Sequence, residues 1–108
     1  MGTEIVFWNK KLKNAYESLR RRSAFETLYK ALSGAFKDIM GNPAAGIPLE
    51  KYRIPKELRS QITNLWKYEL PGGWRLIYSL AGNKITIIAL ILEWCDHKTY
   101  EKKYSGKR

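Results

Sequence analysis

Many side chains in this sequence can hold an anion, but few can move a proton near neutral pH or attack a bond. His97 is the sole histidine, and histidine is the side chain whose ordinary pKa allows proton transfer near neutral pH. Asp96 precedes it and could orient its ring, and Lys98 follows and could bind phosphate. The alternative is that His97 merely occupies the first turn of an exposed helix. Arg75 either forms a cross-strand ion pair with Glu69 or acts as a bidentate phosphate clamp. Tyr100 can stack on a base or donate its phenolic proton, or it can pack a helix onto the protein together with Tyr104, four residues on. Cys95, the single cysteine, reads as a packed thiol. No phosphate-cradling glycine loop, metal-ligand constellation or nucleophile triad is present, so neither a cofactor nor a metal site is expected.

The chain that must position these groups has 108 residues, enough for one domain (1–108) and too few for a multidomain enzyme. Lys and Arg number 20 against 10 Asp and Glu, a net charge of +10 that favours a polyanionic partner. The clusters Lys10-Lys11-Lys13 and Arg20-Arg21-Arg22 read either as solvated helix faces or as a charge that steers the protein to nucleic acid at low salt. A lone cysteine permits no internal disulfide and suits the cytoplasm. The longest apolar run, from Ile85 to Leu92 with Thr86 inside it, is too short to span a bilayer. No signal peptide is expected, and Val6 stands where N-myristoylation after Met1-Gly2 needs Ser or Thr.

Periodicity predicts the elements. Thr3 to Phe7 reads as a strand, and Leu12, Ala15, Tyr16 and Leu19 fall at helical spacing over 9–19. Ser23 with Glu26 predicts a capping box opening a second helix, whose stripe is Phe25, Leu28, Leu32, Ala35, Phe36 and Ile39. Gly41-Asn42-Pro43 predicts a left-handed cap and a stop. Residues 42–61 hold three prolines and read as an irregular connection, with a short turn at Lys56-Glu57-Leu58 behind Pro55. A three-stranded meander follows, over 62–70, 73–81 and 84–94. If Pro71-Gly72-Gly73 is its first loop, Leu70 faces Trp74 and Glu69 faces Arg75, and one sheet face carries Trp66, Tyr68, Leu70, Trp74, Leu76, Tyr78 and Leu80. Gly82-Asn83 is the second turn, and the returning strand adds Ile85, Ile87, Ala89 and Ile91 to that face. Asp96 predicts the N-cap of a last helix from His97 to about Tyr104, bearing Lys98, Lys102 and Lys103, after which the tail should fray. The fold class is α+β in the order β-α-α-β-β-β-α, an N-terminal helical hairpin packed on a small antiparallel sheet.

The run Gly73-Trp74-Arg75-Leu76-Ile77-Tyr78, a turn, the apolar strand to Trp94, and then His97-Lys98-Thr99-Tyr100 resemble the C-terminal half of RelE/ParE-type toxins. Residues 64–75, Asn64 through Pro71-Gly72-Gly73-Trp74-Arg75, are similar to the ParE-like branch of archaea and bacteria. The resemblance implies the toxin half of a type II toxin–antitoxin pair, of which RelE-like members cut mRNA on the ribosome and ParE-like members inhibit DNA gyrase. It implies a phosphate contact for Arg75 and, more loosely, site roles for His97 and Tyr100. Several RNA-cutting members carry two lysines on the preceding strand, whereas this chain offers Lys67 between the aromatics Trp66 and Tyr68. Metal-independent RNA cleavage needs a base for the 2′-OH, an acid for the leaving 5′ oxygen and cations for the phosphorane. Arg75, His97 and Tyr100 are the catalytic candidates, and Lys67, Arg75, Lys98, Lys102 and Lys103 the nucleic-acid-binding ones. A gyrase inhibitor and a non-catalytic RNA-binding module are the alternatives.

The returning strand is apolar on both sides, which leaves two readings. It is either a central strand buried on both faces, or one face, with Ile77, Ile88, Leu90, Leu92 and Trp94, lies open because two helices can cover only the other. An open patch of that kind predicts an interface for an acidic antitoxin segment, with a homodimer as the runner-up.

Overall fold

The computed structural model describes residues 2–83 and 85–106. Strand β1 (Gly2–Phe7) leads into α1 (Lys10–Leu19), which Asn9 caps by accepting from the Leu12 N–H at 2.8 Å. Helix α2 (Glu26–Gly41) follows a single 3₁₀ turn over Ser23–Phe25. That turn replaces the expected capping box, because neither Arg22 nor Phe25, at the starts of the turn and the helix, makes a side-chain cap bond. The end of α2 also departs from expectation. Gly41 has no positive φ, and the stop comes from extended Asn42, whose side chain accepts from the Ala44 N–H, and from Pro43.

Four further strands, β2 (Ile47–Pro48), β3 (Trp66–Glu69), β4 (Arg75–Gly82) and β5 (Thr86–Cys95), join β1 in one sheet of order β1-β5-β4-β3-β2. The β3–β4 register is the one the three-residue loop dictates, with Glu69 opposite Arg75 and the Leu70 N–H donating to the Trp74 carbonyl at 2.8 Å. Gly72 and Gly73 both take positive φ in this loop, which side chains rarely tolerate. Two features correct the expected architecture. The sheet is mixed, because β1 runs parallel to β5, and it gains β2 as a fifth, two-residue edge strand. Strand β3 is shorter than 62–70, because Asn64 meets β4 through side-chain bonds rather than a backbone ladder: Oδ1 accepts from the Leu80 N–H at 2.7 Å, Nδ2 donates to the Leu80 carbonyl at 2.8 Å, and the Asn64 carbonyl accepts from the Ser79 hydroxyl at 2.8 Å. Lys84, the expected start of the last strand, lies outside the described residues, and Ile85 is exposed in the turn.

Helices α1 and α2 cover one face, where Leu32, Ala35, Phe36 and Ile39 meet Leu70, Leu76, Tyr78, Ala89 and Ile91. Phe7, Tyr16, Tyr29 and Phe36 form an aromatic seam with ring centroids 5.0–5.6 Å apart. The opposite face is not open, which corrects the expectation that two long helices leave it uncovered. Helix α3 (His97–Tyr104) and the connection before β3 bring Tyr100, Tyr104, Ile54, Ile62 and Leu65 onto Ile77 and Cys95. Ile77 is 0 % exposed, and Leu90 and Leu92 are half-buried against this second core. Ile88 is half-buried as well.

Trp94 is corrected for a different reason. Ile77 pairs with Glu93 but Tyr78 with Ile91, so a β-bulge at Leu92 adds one residue to β5. Parity then flips, and Trp94 packs with the helix-covered core. Asp96 caps α3 as expected, accepting from the Thr99 N–H at 2.8 Å. The tail expected to fray has Gly106 packed so closely on the Tyr52 ring that a Cβ there would overlap it; Lys107 and Arg108 lie outside the described residues. No described helix is long and apolar enough to cross a membrane.

Candidate functional site

Three of the residues singled out in the sequence converge on one aromatic ring. Tyr100 comes from the buried side of α3 and is 3 % exposed. The Arg75 guanidinium carbon lies 4.8 Å from its ring centroid and the Lys67 ammonium 5.2 Å, both within cation–π range. This meeting follows from local structure. Lys67 and Arg75 lie on the same sheet face, since odd-numbered residues of β3 and β4 share the face opposite the hairpin of helices. The Asp96 cap starts α3 directly after β5, the neighbour of β4, so its first turns lie over that face.

Glu69 serves as a loose counter-ion to both cations. Its Oε1 is 3.7 Å from Lys67 Nζ and 3.8 Å from Arg75 Nη2, beyond hydrogen-bond length. The cross-strand ion pair is therefore real, but its geometry is that of a partner a phosphate can displace. Arg75 Nη1 donates to the Gly73 carbonyl at 2.8 Å, which ties the guanidinium to the glycine turn. Its Nε is buried without a hydrogen-bond partner.

A third cation, Arg53, was missed in the sequence. It ends a 3₁₀ turn (Lys51–Arg53) in the proline-rich connection, pairs with Glu50 at 3.3 Å, and donates from Nη1 to the Tyr100 hydroxyl at 3.4 Å. Because that oxygen accepts from Arg53, the phenolic proton is left free for another partner. No local pattern marks Arg53, which meets Tyr100 across 47 residues of chain.

The other candidates lie apart from this cluster. His97 stands on the outer side of α3 with its side chain 64 % exposed and Nε2 3.9 Å from Glu101 Oε1. Among the described residues it makes no hydrogen bond or ring contact with Tyr100, Arg75 or Lys67. Asp96 spends its carboxylate on the helix cap, whose N–H and neighbouring Lys98 hold its pKa below the ordinary value, and makes no bond to His97. Lys98 and Lys102 are exposed. Lys103 pairs with Glu93 at 3.0 Å, and Glu93 also accepts from the Tyr104 hydroxyl. Burial and that carboxylate push the Tyr104 phenol far up, so it stays protonated and structural. Burial, with Glu93 adding to it, likewise pushes the Cys95 thiol up to about 12, which removes it from thiolate chemistry. Among the described residues no group of three or more His, Cys, Asp or Glu side chains is placed to hold a metal ion.

Beside the Tyr100 cluster, a cleft of about 400 Å³ opens between residues 52–59 and α3. Arg53 belongs to both, and Lys56, Arg59, Lys102 and Lys103 add further positive charge to the cleft wall.

The fold, a mixed sheet with a helical hairpin on one face and a C-terminal helix on the other, is similar to that of a solved toxin structure. Among solved structures, the YoeB/ParE toxin from Agrobacterium tumefaciens matches with a TM-score of 0.60 over 87% of this chain and 98% of that chain, at 15% sequence identity. The likeness bears out the α+β class that the sequence resemblance implied, with a mixed five-stranded sheet in place of the expected antiparallel one. No protein-family model matches the chain, and no curated protein matches it.

Proposed function

We propose that this chain is the toxin of a type II toxin–antitoxin pair and that it acts as an endoribonuclease on mRNA at the ribosome. The observation that carries the reading is the Tyr100 ring, held beneath Arg75 and Lys67 with Arg53 on its hydroxyl. Such a cluster suits a phosphate whose negative charge grows as the 2′ oxygen attacks and the 5′ oxygen leaves. Arg75 and Lys67 bind the phosphate in place of Glu69, and the free phenolic proton of Tyr100 goes to the leaving oxygen. His97 lies on the outer side of α3, away from this cluster, so it takes the 2′-OH proton only if bound RNA reaches across both sides of the helix. The chain's net charge of +10 supports a ribosomal target and an acidic antitoxin.

Arg75→Ala should slow cleavage of a labelled mRNA by about 100-fold or more while leaving the fold intact. His97→Ala should slow it through loss of a proton acceptor. If wild-type protein leaves mRNA whole in a translation extract but blocks supercoiling by gyrase, the reading passes to the gyrase-inhibiting branch.

A further inference from the structure

We propose that the cleft between residues 52–59 and α3 holds the single-stranded RNA adjoining the nucleotide at Tyr100, with one base stacked on Tyr52 and the flanking phosphates on Lys56, Arg59 and Lys102. The inference rests on the reading of the Tyr100 cluster as an RNA site and names how that RNA is held beyond it.

Charge is the first ground. Five cations line the cleft against one carboxylate, Glu57. Two of the five are already answered, Arg53 by Glu50 and Lys103 by Glu93. Lys56 and Lys102 make no ion pair among the described residues, and Arg59 uses only Nε, on the Ile54 carbonyl at 3.2 Å. Uncompensated like charges on one concave wall repel, and a polyanion threaded between them relieves that repulsion.

The second ground separates RNA from an acidic peptide. Tyr52 is a large aromatic ring left 54 % exposed at the cleft, yet it is held in place. Gly106 packs against its edge, its hydroxyl reaches Glu50 at 3.4 Å, and the Arg53 guanidinium carbon lies 6.0 Å from its centroid. A fixed, exposed ring among cations is the arrangement that binds single-stranded nucleic acid by stacking without regard to sequence. An acidic peptide would use the lysines and leave the ring idle.

Continuity is the third ground. Arg53 walls the cleft and donates to the Tyr100 hydroxyl, so a strand leaving Tyr100 enters the cleft directly. The volume of about 400 Å³ suits one nucleotide at a time rather than a duplex.

The test uses the purified full chain and a fluorescent 12-nucleotide RNA with 2′-fluoro at every ribose, which lacks the 2′-OH and cannot be cut. Binding is followed by anisotropy across a salt series. Lys56→Ala/Lys102→Ala should lower the slope of log affinity against log salt by about 1.4, roughly 0.7 for each phosphate left without its lysine. Tyr52→Ala should weaken binding by about 5- to 100-fold at an unchanged slope, and Tyr52→Phe should restore it. Unchanged affinity and slope in the lysine pair and in Tyr52→Ala would overturn the proposal. So would an oligoglutamate of equal charge that binds as tightly as the RNA and is weakened equally by Tyr52→Ala. Because the probe cannot be cleaved, a failure of the Tyr100 reading appears separately, as natural RNA left uncut by a protein whose cleft variants still lose the probe.

Discussion

Replacing Tyr100 with phenylalanine removes one oxygen and its proton and leaves the rest of the site in place. The ring stays buried, and its contacts with Arg75 at 4.8 Å and Lys67 at 5.2 Å persist, because a phenylalanine face attracts cations as well. The structural loss is the bond from Arg53, which at 3.4 Å is long for N–H···O and contributes less than about 1 kcal/mol. For a domain of this size the melting temperature should then fall by no more than about 8 °C. Loss of a proton donor costs about 100- to 10,000-fold in rate, equivalent to about 3–5 kcal/mol. Activity should therefore collapse while the fold survives. Tyr100→Ala cannot make this distinction, since deleting a buried ring costs about 3–5 kcal/mol, a large share of a small domain's stability. The assay is single-turnover cleavage of labelled RNA at saturating protein, beside a thermal melt. A phenylalanine variant that melts like wild type and cuts RNA within about threefold of it would refute proton donation by Tyr100.

Three further outcomes are expected. Asn64→Ala should destabilise the protein by about 1–3 kcal/mol in urea titrations, because it strands the Leu80 backbone groups that the amide serves, and a loss under about 0.5 kcal/mol would deny Asn64 that role. The Asp96 carboxyl is held below its ordinary value near 3.8 by the Thr99 N–H, so its stabilisation is complete above that pH and is lost as pH falls through the folded value. The melting-temperature gap between wild type and Asp96→Asn should accordingly shrink below about pH 4, and a gap that widens there would reverse the sign of this argument. Cys95, with its thiol pushed up to about 12, should resist thiol reagents at pH 8 until urea unfolds the chain, and prompt labelling of the folded protein would show that it is accessible.

Much of the local architecture was legible in the sequence, because it depends on spacing within a few residues. Pro71-Gly72-Gly73 sets a loop length, loop length sets register, and register puts Lys67 and Arg75 on one face. Asp96 three residues before Thr99 starts the last helix and thereby brings Tyr100 to that face. What only the tertiary structure decided involves residues far apart in the chain. The bulge at Leu92 turns Trp94 to the other core, since a single extra residue inverts a period of two and alternation alone cannot locate it. The parallel pairing of β1 with β5 spans most of the chain and leaves no mark in either strand's pattern. The connection before β3 was legible as irregular, yet its Ile54, Ile62 and Leu65 close the second core and so cover Ile77. The same connection carries Arg53 to the Tyr100 hydroxyl, because aperiodic chain is placed by what it buries rather than by any repeat of its own.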